Sequence, residues 1–310
     1  MIRYVIKRLL LMIPIILGVV FIIFFILNVI PGDPASLILG NFVPLEAKIR
    51  LNEELGIYRP LLVRYVDYVY NAVQGNFGNS WRTGTPAFTE IFARFPTTIR
   101  LALFSIILAV AIGVPLGILA AVKQHTWMDS VASVSAMFLS SIPSFWMGLL
   151  AVLLFSLRMG LLPSNGADSW RHFVLPVVTL ALPAAADFLR LTRSTMLEVI
   201  RQDYVRTARA KGASKRLVVW RHALGNALLP IVTVAAMYFG GLLGGVVITE
   251  QVFAMPGIGT LTINAIRSQD TPQVMAAVVL LATIFCVIML IVDLLYAFID
   301  PRVRARYSKG

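Results

Sequence analysis

Six stretches of the sequence carry no Asp, Glu, Lys or Arg: residues 9–30, 101–122, 130–157, 172–186, 227–249 and 271–292. Nothing else in the chain constrains its fold so strongly, because about 20 consecutive apolar residues in a helix span the roughly 30 Å hydrocarbon layer of a bilayer. The fourth stretch crosses only if it continues past Asp187 to about residue 189, and the sixth continues past Asp293 to about 299. Composition agrees, with 58% of residues hydrophobic and 14% charged, against roughly 45–50% and about 25% in an ordinary soluble domain. The basic residues ahead of the first stretch imitate a signal peptide. That apolar run is too long for one and no small-x-small cleavage site follows, so an uncleaved span is expected. The expected fold class is an all-α integral membrane protein with six transmembrane helices.

Six crossings put both termini on one side, and the positive-inside rule chooses which. One set of flanks holds Arg3, Lys7, Arg8, Lys123, the run 190–221, and Arg302, Arg304, Arg306 and Lys309. On the opposite side Lys48, Arg50, Arg59, Arg64, Arg82 and Arg94 are balanced by Asp33, Glu46, Glu53, Glu54, Asp67 and Glu90. Both termini and the basic run are therefore expected in the cytoplasm, with residues 31–96 outside. "PGDP" (31–34) ends the first helix, since proline withholds a donor and restricts the residue before it. Further on, Leu62, Tyr65, Val66, Val69 and Val73 recur at helical spacing, and Gly75 stands where a C-terminal cap belongs.

The chemistry of catalysis is missing from this sequence. It holds no Gly-x-x-x-x-Gly-Lys-Ser/Thr phosphate loop, no His-Glu-x-x-His and no Gly-x-Ser-x-Gly. The single cysteine, Cys286, lies in an apolar run and reads as a packing residue. His125, His172 and His222 are scattered over both sides of the membrane, where each reads as structural. No metal or cofactor site is expected in this chain.

Within the spans, "FGGLLGG" places Gly240, Gly241, Gly244 and Gly245 at two overlapping Gly-xxx-Gly spacings, which let helix backbones approach closely in lipid. Gly113, Pro115 and Gly117 mark the second span, Pro176 and Pro183 the fourth. Prolines free carbonyls that neighbours must satisfy, so these helices are expected inside a bundle. Tight packing and the lining of a moving pathway both remain open for them. Asp187 is the most interior acid. It could meet a substrate amine or a proton, but i, i+3 spacing favours an ion pair with Arg190.

The longest cationic stretch is "YVRTARAKGASKRLVVWRHALGNALLP" (204–230), which contains no acid. Nucleic acid, anionic lipid or a protein could each receive it. Tethering to a membrane span on both sides argues against a DNA-binding helix-turn-helix. Lipid attraction is worth roughly 1 kcal/mol per basic residue near an anionic leaflet. Yet the stretch has a helix–Gly–helix layout, with Val205, Ala208, Leu217, Val218 and Trp220 available for packing, and that layout favours a protein partner.

The same residues resemble the cytoplasmic signature loop of permease subunits of ATP-binding-cassette (ABC) importers, in the dipeptide, oligopeptide and nickel branch. The general pattern there is Glu-Ala-Ala, three residues, then Gly. Gly212 takes the glycine position, which puts Arg206, Thr207 and Ala208 where Glu-Ala-Ala would stand. That departure, like the late Pro230, is similar to the "RTARAKG" and "HALRNALLP" of the branch. "PGDPASLI", "ELGIYRPLLVRY", "RFPTTIRLAL", "LPVVTLALP", "EQVFAMPGIG" and "IVDLLYAFIDPRVR" resemble it as well, in the same order along nearly the whole chain.

The resemblance implies a type I importer transmembrane domain, the first permease of a pair. Residues 1–96 would form an N-terminal helix with an extracytoplasmic segment, 97–299 the permease domain with a coupling loop at about 192–226, and 300–310 a cytoplasmic tail. Tyr204, Arg206, Thr207, Ala208, Arg209, Lys211, Gly212 and Ala213 would dock on an ATPase subunit. Implied partners are a second homologous permease, two ABC ATPases that bind ATP and Mg, an extracytoplasmic binding protein and the lipid bilayer, with no nucleic acid. Di- or oligopeptides are the expected substrates, with nickel chelate or glutathione as alternatives. An ATP-independent channel or secondary transporter is the alternative of a different class.

Overall fold

In the computed structural model, which describes residues 2–30, 32–40 and 42–299, the chain is built from helices joined by short turns. Pro31 of the PGDP break, the tail 300–310 with its basic residues, and the side chains of Arg3, Lys215 and His222 lie outside the described residues, as do the surroundings of Gly245. Among the described residues five helices are long and apolar enough to cross a membrane, or six if one sharply bent pair counts as a single span. The chain divides into two compact units, Met1–Thr98 with Pro256–Leu290, and Ile99–Met255 with the chain from Ile291 on.

The first unit starts with α1 (Ile2–Val29), followed by α2 (Pro34–Leu39), α3 (Leu45–Glu54) and α4 (Leu61–Val73). The spacing predicts a helix over the region of α4, and the cap falls where expected: Gly75 donates to Ala72 O and Asn76 to Asn71 O, both at 3.0 Å. Which face it buries is a different matter. Leu61, Tyr65 and Tyr68 pack with Val20 and Phe24 of α1, and the Tyr65 hydroxyl donates to Leu17 O at 2.8 Å. Leu62, Val66 and Val73 stay exposed. The unit is completed by the outer end of α5 (Ala87–Val122), by α13 (Ile258–Arg267) and by the start of α14 (Thr271–Ile299), where Ile91, Ile258, Ala276 and Ala277 are buried together.

Asp33 joins α2 to α3 through a polar knot. Its carboxylate accepts from Asn52 Nδ2 at 2.7 Å and Ser36 Oγ at 2.5 Å, while Asn52 Oδ1 accepts from the Ala35 N–H at 3.2 Å. The Asn52 amide, and after it the Ser36 hydroxyl, hold the Asp33 carboxyl below the usual carboxylate range. A folded-state pKa below the unfolded value of about 3.9 means the stabilisation is present above that value and is lost as pH falls through the folded one. Amide exchange in α2 and α3 is therefore expected to accelerate below about pH 4, relative to α4. Asp33→Asn should flatten that pH dependence. An unchanged profile in the variant would assign it to another group.

The second unit is centred on α8 (Trp170–Ile200), the most buried of the long apolar helices. Phe173, Leu175, Val177 and Leu180 of α8 pack with Leu101, Val246, Phe253 and Met255. Ala181, Ala184, Ala185 and Phe188 pack with Ile106, Ala109 and Ile231. Lipid tails are as apolar as these side chains, so close packing rather than escape from water holds such helices together. Gly113 of α5 shows how close the approach is: a Cβ there would lie 2.4 Å from the Ala185 carbonyl oxygen. The FGGLLGG stripe lies on α11 (Leu224–Gly245). Gly240 is buried, while a Cβ added at Gly241 or Gly244 would meet no described atom outside its own helix within 4 Å.

The expected third span is not straight. It consists of α6 (Trp127–Ser141) and α7 (Ser144–Ala151), the latter running into a π-helical turn at Val152–Arg158. The two halves meet at a bend of 93°. Pro143 cannot donate to the preceding turn, and it forces Ile142 into an extended conformation with φ −84° and ψ 124°. An apolar run without charges is blind to this break.

Candidate functional site

The candidate site grows from the end of α8. After Arg201 and Gln202 the chain enters α9 (Asp203–Ala210), whose strongly two-sided pattern buries Val205 completely. A second short helix, α10 (Lys215–Leu217), continues as a π-helical turn, Val218–Ala223, that runs straight into α11. Val218 and Ala223 are also buried, and α9 packs against this second arm. Asn226 Nδ2 donates to the Tyr204 hydroxyl at 2.9 Å, tying the first arm to the base of α11. Leu217 and Trp220 are exposed.

Gly212 makes the reversal between the arms. It has φ +83°, in the left-handed region that side-chain-bearing residues avoid. Its N–H donates to Arg209 O at 3.0 Å, and the Ala213 N–H to Ala208 O at 3.1 Å. These are the two bonds of a Schellman cap, with the glycine at its left-handed position. Among the described residues, no atom beyond its chain neighbours lies within 4 Å of where a Gly212 Cβ would stand. Arg206, Thr207, Arg209 and Lys211 are exposed around it, while Ala208 and Ala213 are half-buried. Asp203 lies 3.9 Å from Arg206, both side chains being largely in solvent, and such a pair contributes little. The result is a cationic, small-residue hairpin whose tip no other described element covers.

Two polar constellations lie along α8 above the hairpin. Asp187 pairs with Arg190 at 2.5 Å, the i, i+3 contact its spacing favours. Its other oxygen accepts from the hydroxyl of Tyr238 on α11, so both carboxylate oxygens are engaged. Closer to the hairpin, Arg193 grips Asp129 of α6 with two bonds, Nε–Oδ1 at 2.5 Å and Nη2–Oδ2 at 2.8 Å. Asp129 is 5% exposed and also accepts from the His125 N–H at 3.1 Å. Neither Tyr238 nor Asp129 stands out in the sequence. Tyr238 is one aromatic residue among many, and Asp129 sits just outside a charge-free run, where it reads as a flank.

These features match known proteins along the whole chain. Residues 113–305 match the family described as "Binding-protein-dependent transport system inner membrane component", and residues 1–102 match the N-terminal region of such membrane components. The chain belongs to that family: it is the permease subunit of an ABC importer, a multi-pass inner-membrane transport component with a type I transmembrane fold. It is 41% identical over 304 residues to the "Glutathione transport system permease protein GsiC" of Escherichia coli strain K12, covering 98% of this chain and 99% of the relative. The protein of that name in Salmonella typhimurium strain LT2 is similar to the same degree. Among solved structures, the MetNI methionine ABC transporter in an inward-facing form shares the fold, with a TM-score of 0.55 at 21% identity over 68% of this chain and 96% of that one.

Proposed function

We propose that this chain forms half of the pathway through which an ATP-driven importer moves short peptides, glutathione among them, after delivery by an extracytoplasmic binding protein. The uncovered hairpin around Gly212 carries the reading. A cationic reversal with Arg206, Arg209 and Lys211 outward has the form of a docking key, and an ABC ATPase is its counterpart in a transport system of this family. A second homologous permease supplies the other half of the pathway, and its contact can use the open backbone at Gly241 and Gly244. Two ATPases bind the ATP and Mg, and this chain carries no catalytic site. Both termini lie in the cytoplasm, by the distribution of Lys and Arg. Glutathione is itself a tripeptide, so the substrate in the relatives' name and the peptide reading share one chemistry.

Transport follows from linkage. ATP-driven closure of the ATPase pair moves the docked hairpins and shifts the permeases between inward- and outward-open states. A near-complete switch requires the two states to differ in affinity for the closed ATPases by roughly 5.5 kcal/mol. The test is reconstitution of this chain with a second permease, two ATPases and the binding protein in proteoliposomes. ATP-dependent uptake of glutathione or trialanine is expected, with no flux through this chain alone. Flux through the chain alone without ATP would overturn the reading in favour of a channel. ATP-driven uptake of a nickel chelate but of no peptide would overturn the substrate.

A further inference from the structure

The unit that carries α2–α4 holds a cavity of about 470 Å³ between the 80–83 loop, the start of α5, α13 and the start of α14. That volume suits a small solute rather than a protein segment. Its floor is built in advance. Asp270 accepts from Ser80 Oγ at 2.5 Å and from the Trp81 and Arg82 N–H groups at 3.1 and 3.4 Å, which pins the loop onto the head of α14. One turn into α14 lies Gln273, 2% exposed, whose side-chain amide has no partner for either its nitrogen or its oxygen. Burying an amide with both ends unmade is unfavourable, and such a group calls for an occupant. Arg82 and Arg94 stand exposed at the rim, and Glu90 lines the wall.

We propose that this cavity is a substrate subsite for an extended, zwitterionic short peptide, a proposal that rests on the peptide reading above. In an extended residue the N–H and the C=O point to the same side, as in a strand exchanging both bonds with its neighbour. The Gln273 amide offers the matching pair, Oε1 to accept and Nε2 to donate. The cations Arg82 and Arg94 and the carboxylate of Glu90 line the cavity and suit a ligand bearing both a carboxylate and an amine. A bare anion or a bare cation would meet like charge on one side.

The test uses the assembled transporter in proteoliposomes with one binding protein throughout, so that its own selectivity cancels between wild type and variant. The probes are trialanine, its analogue with an ester oxygen in place of the central N–H, and its C-terminal carboxamide. Wild type is expected to favour the amide over the ester by about tenfold in uptake efficiency, the scale of one hydrogen bond. Gln273→Leu, which preserves the volume, should cut that preference to about twofold or less. If Gln273→Leu fails to assemble, Arg82→Gln with Arg94→Gln, both on the surface, should lose the preference for trialanine over its carboxamide. Equal uptake of amide and ester by wild type, or undiminished preferences in the variants, would overturn the subsite while leaving the peptide reading intact. A wild-type transporter that moves none of the probes would overturn the peptide reading, and the subsite with it.

Discussion

A Gly212→Val permease is expected to insert and fold normally, yet to lose ATP-driven uptake by about tenfold or more. At φ +83° a side-chain-bearing residue pays about 1–2 kcal/mol, and a β-branched one is the least tolerant of that conformation. The chain can escape the strain only by opening the two cap bonds from Gly212 and Ala213. Because a Cβ at Gly212 would meet no described atom beyond its own turn within 4 Å, the cost falls on the hairpin rather than on the core around α8. Gly212→Asp should lose coupling by another route, since it sets an anion among Arg206, Arg209 and Lys211. Gly212→Asn separates the two effects, because asparagine enters the left-handed region more readily and adds no charge. It is expected to keep part of the uptake. The readouts are uptake in proteoliposomes, the ATPase co-purifying with each variant, and thermal unfolding of the permease. Wild-type uptake and ATPase recovery in both Gly212→Val and Gly212→Asp would falsify the docking role of the hairpin.

The second large effect concerns the pair that anchors the base of α8. Removing one partner of a buried ion pair costs about 3–5 kcal/mol because the other charge is stranded. Asp129 has a 7% exposed side chain, and Arg193 a 29% exposed one. Arg193→Leu should therefore sit near the lower end, about 3 kcal/mol, by leaving Asp129 buried and unpaired. Asp129→Leu should cost less, since the stranded guanidinium can turn toward water. In thermal unfolding, a loss of that size is a fall of roughly 6–12 °C for a unit this large. The double variant should recover most of it, because two leucines of similar volume leave no orphaned charge. Costs that simply add in the double variant would show that the two residues act separately. Uptake should fall together with stability in the single variants, since α8 feeds directly into the hairpin through Arg201 and Gln202.

Much of the architecture is legible in the chain itself. The six charge-free stretches mark the apolar helices, Gly75 caps α4, and Gly212 bends the hairpin. These are short-range properties: an apolar run, a helical period or a left-handed turn depends on residues within a few positions of one another. The aligned motifs carried the family as well, because their residues and order can be read without any coordinates.

What the chain left open depends on partners distant in sequence. The charge-free run 130–157 reads as one continuous span, and only the folded chain shows the 93° bend within it. On α4 both faces are apolar, and contact with α1 selected Leu61, Tyr65 and Tyr68 over Leu62 and Val66. Gly113 and Gly117 make the tight approaches to α8, whereas a Cβ at Gly241 or Gly244 would meet no described atom outside its own helix, a difference that Gly-xxx-Gly spacing alone does not reveal. Asp129 meets Arg193 across 64 residues, and Asp270 meets Ser80 across 190. By itself, then, the sequence determined the helices, the hairpin's turn and the family. Tertiary structure alone decided which acid is paired, which apolar face is covered and where a buried amide is left open, because burial and charge pairing are set by what the folded chain brings alongside.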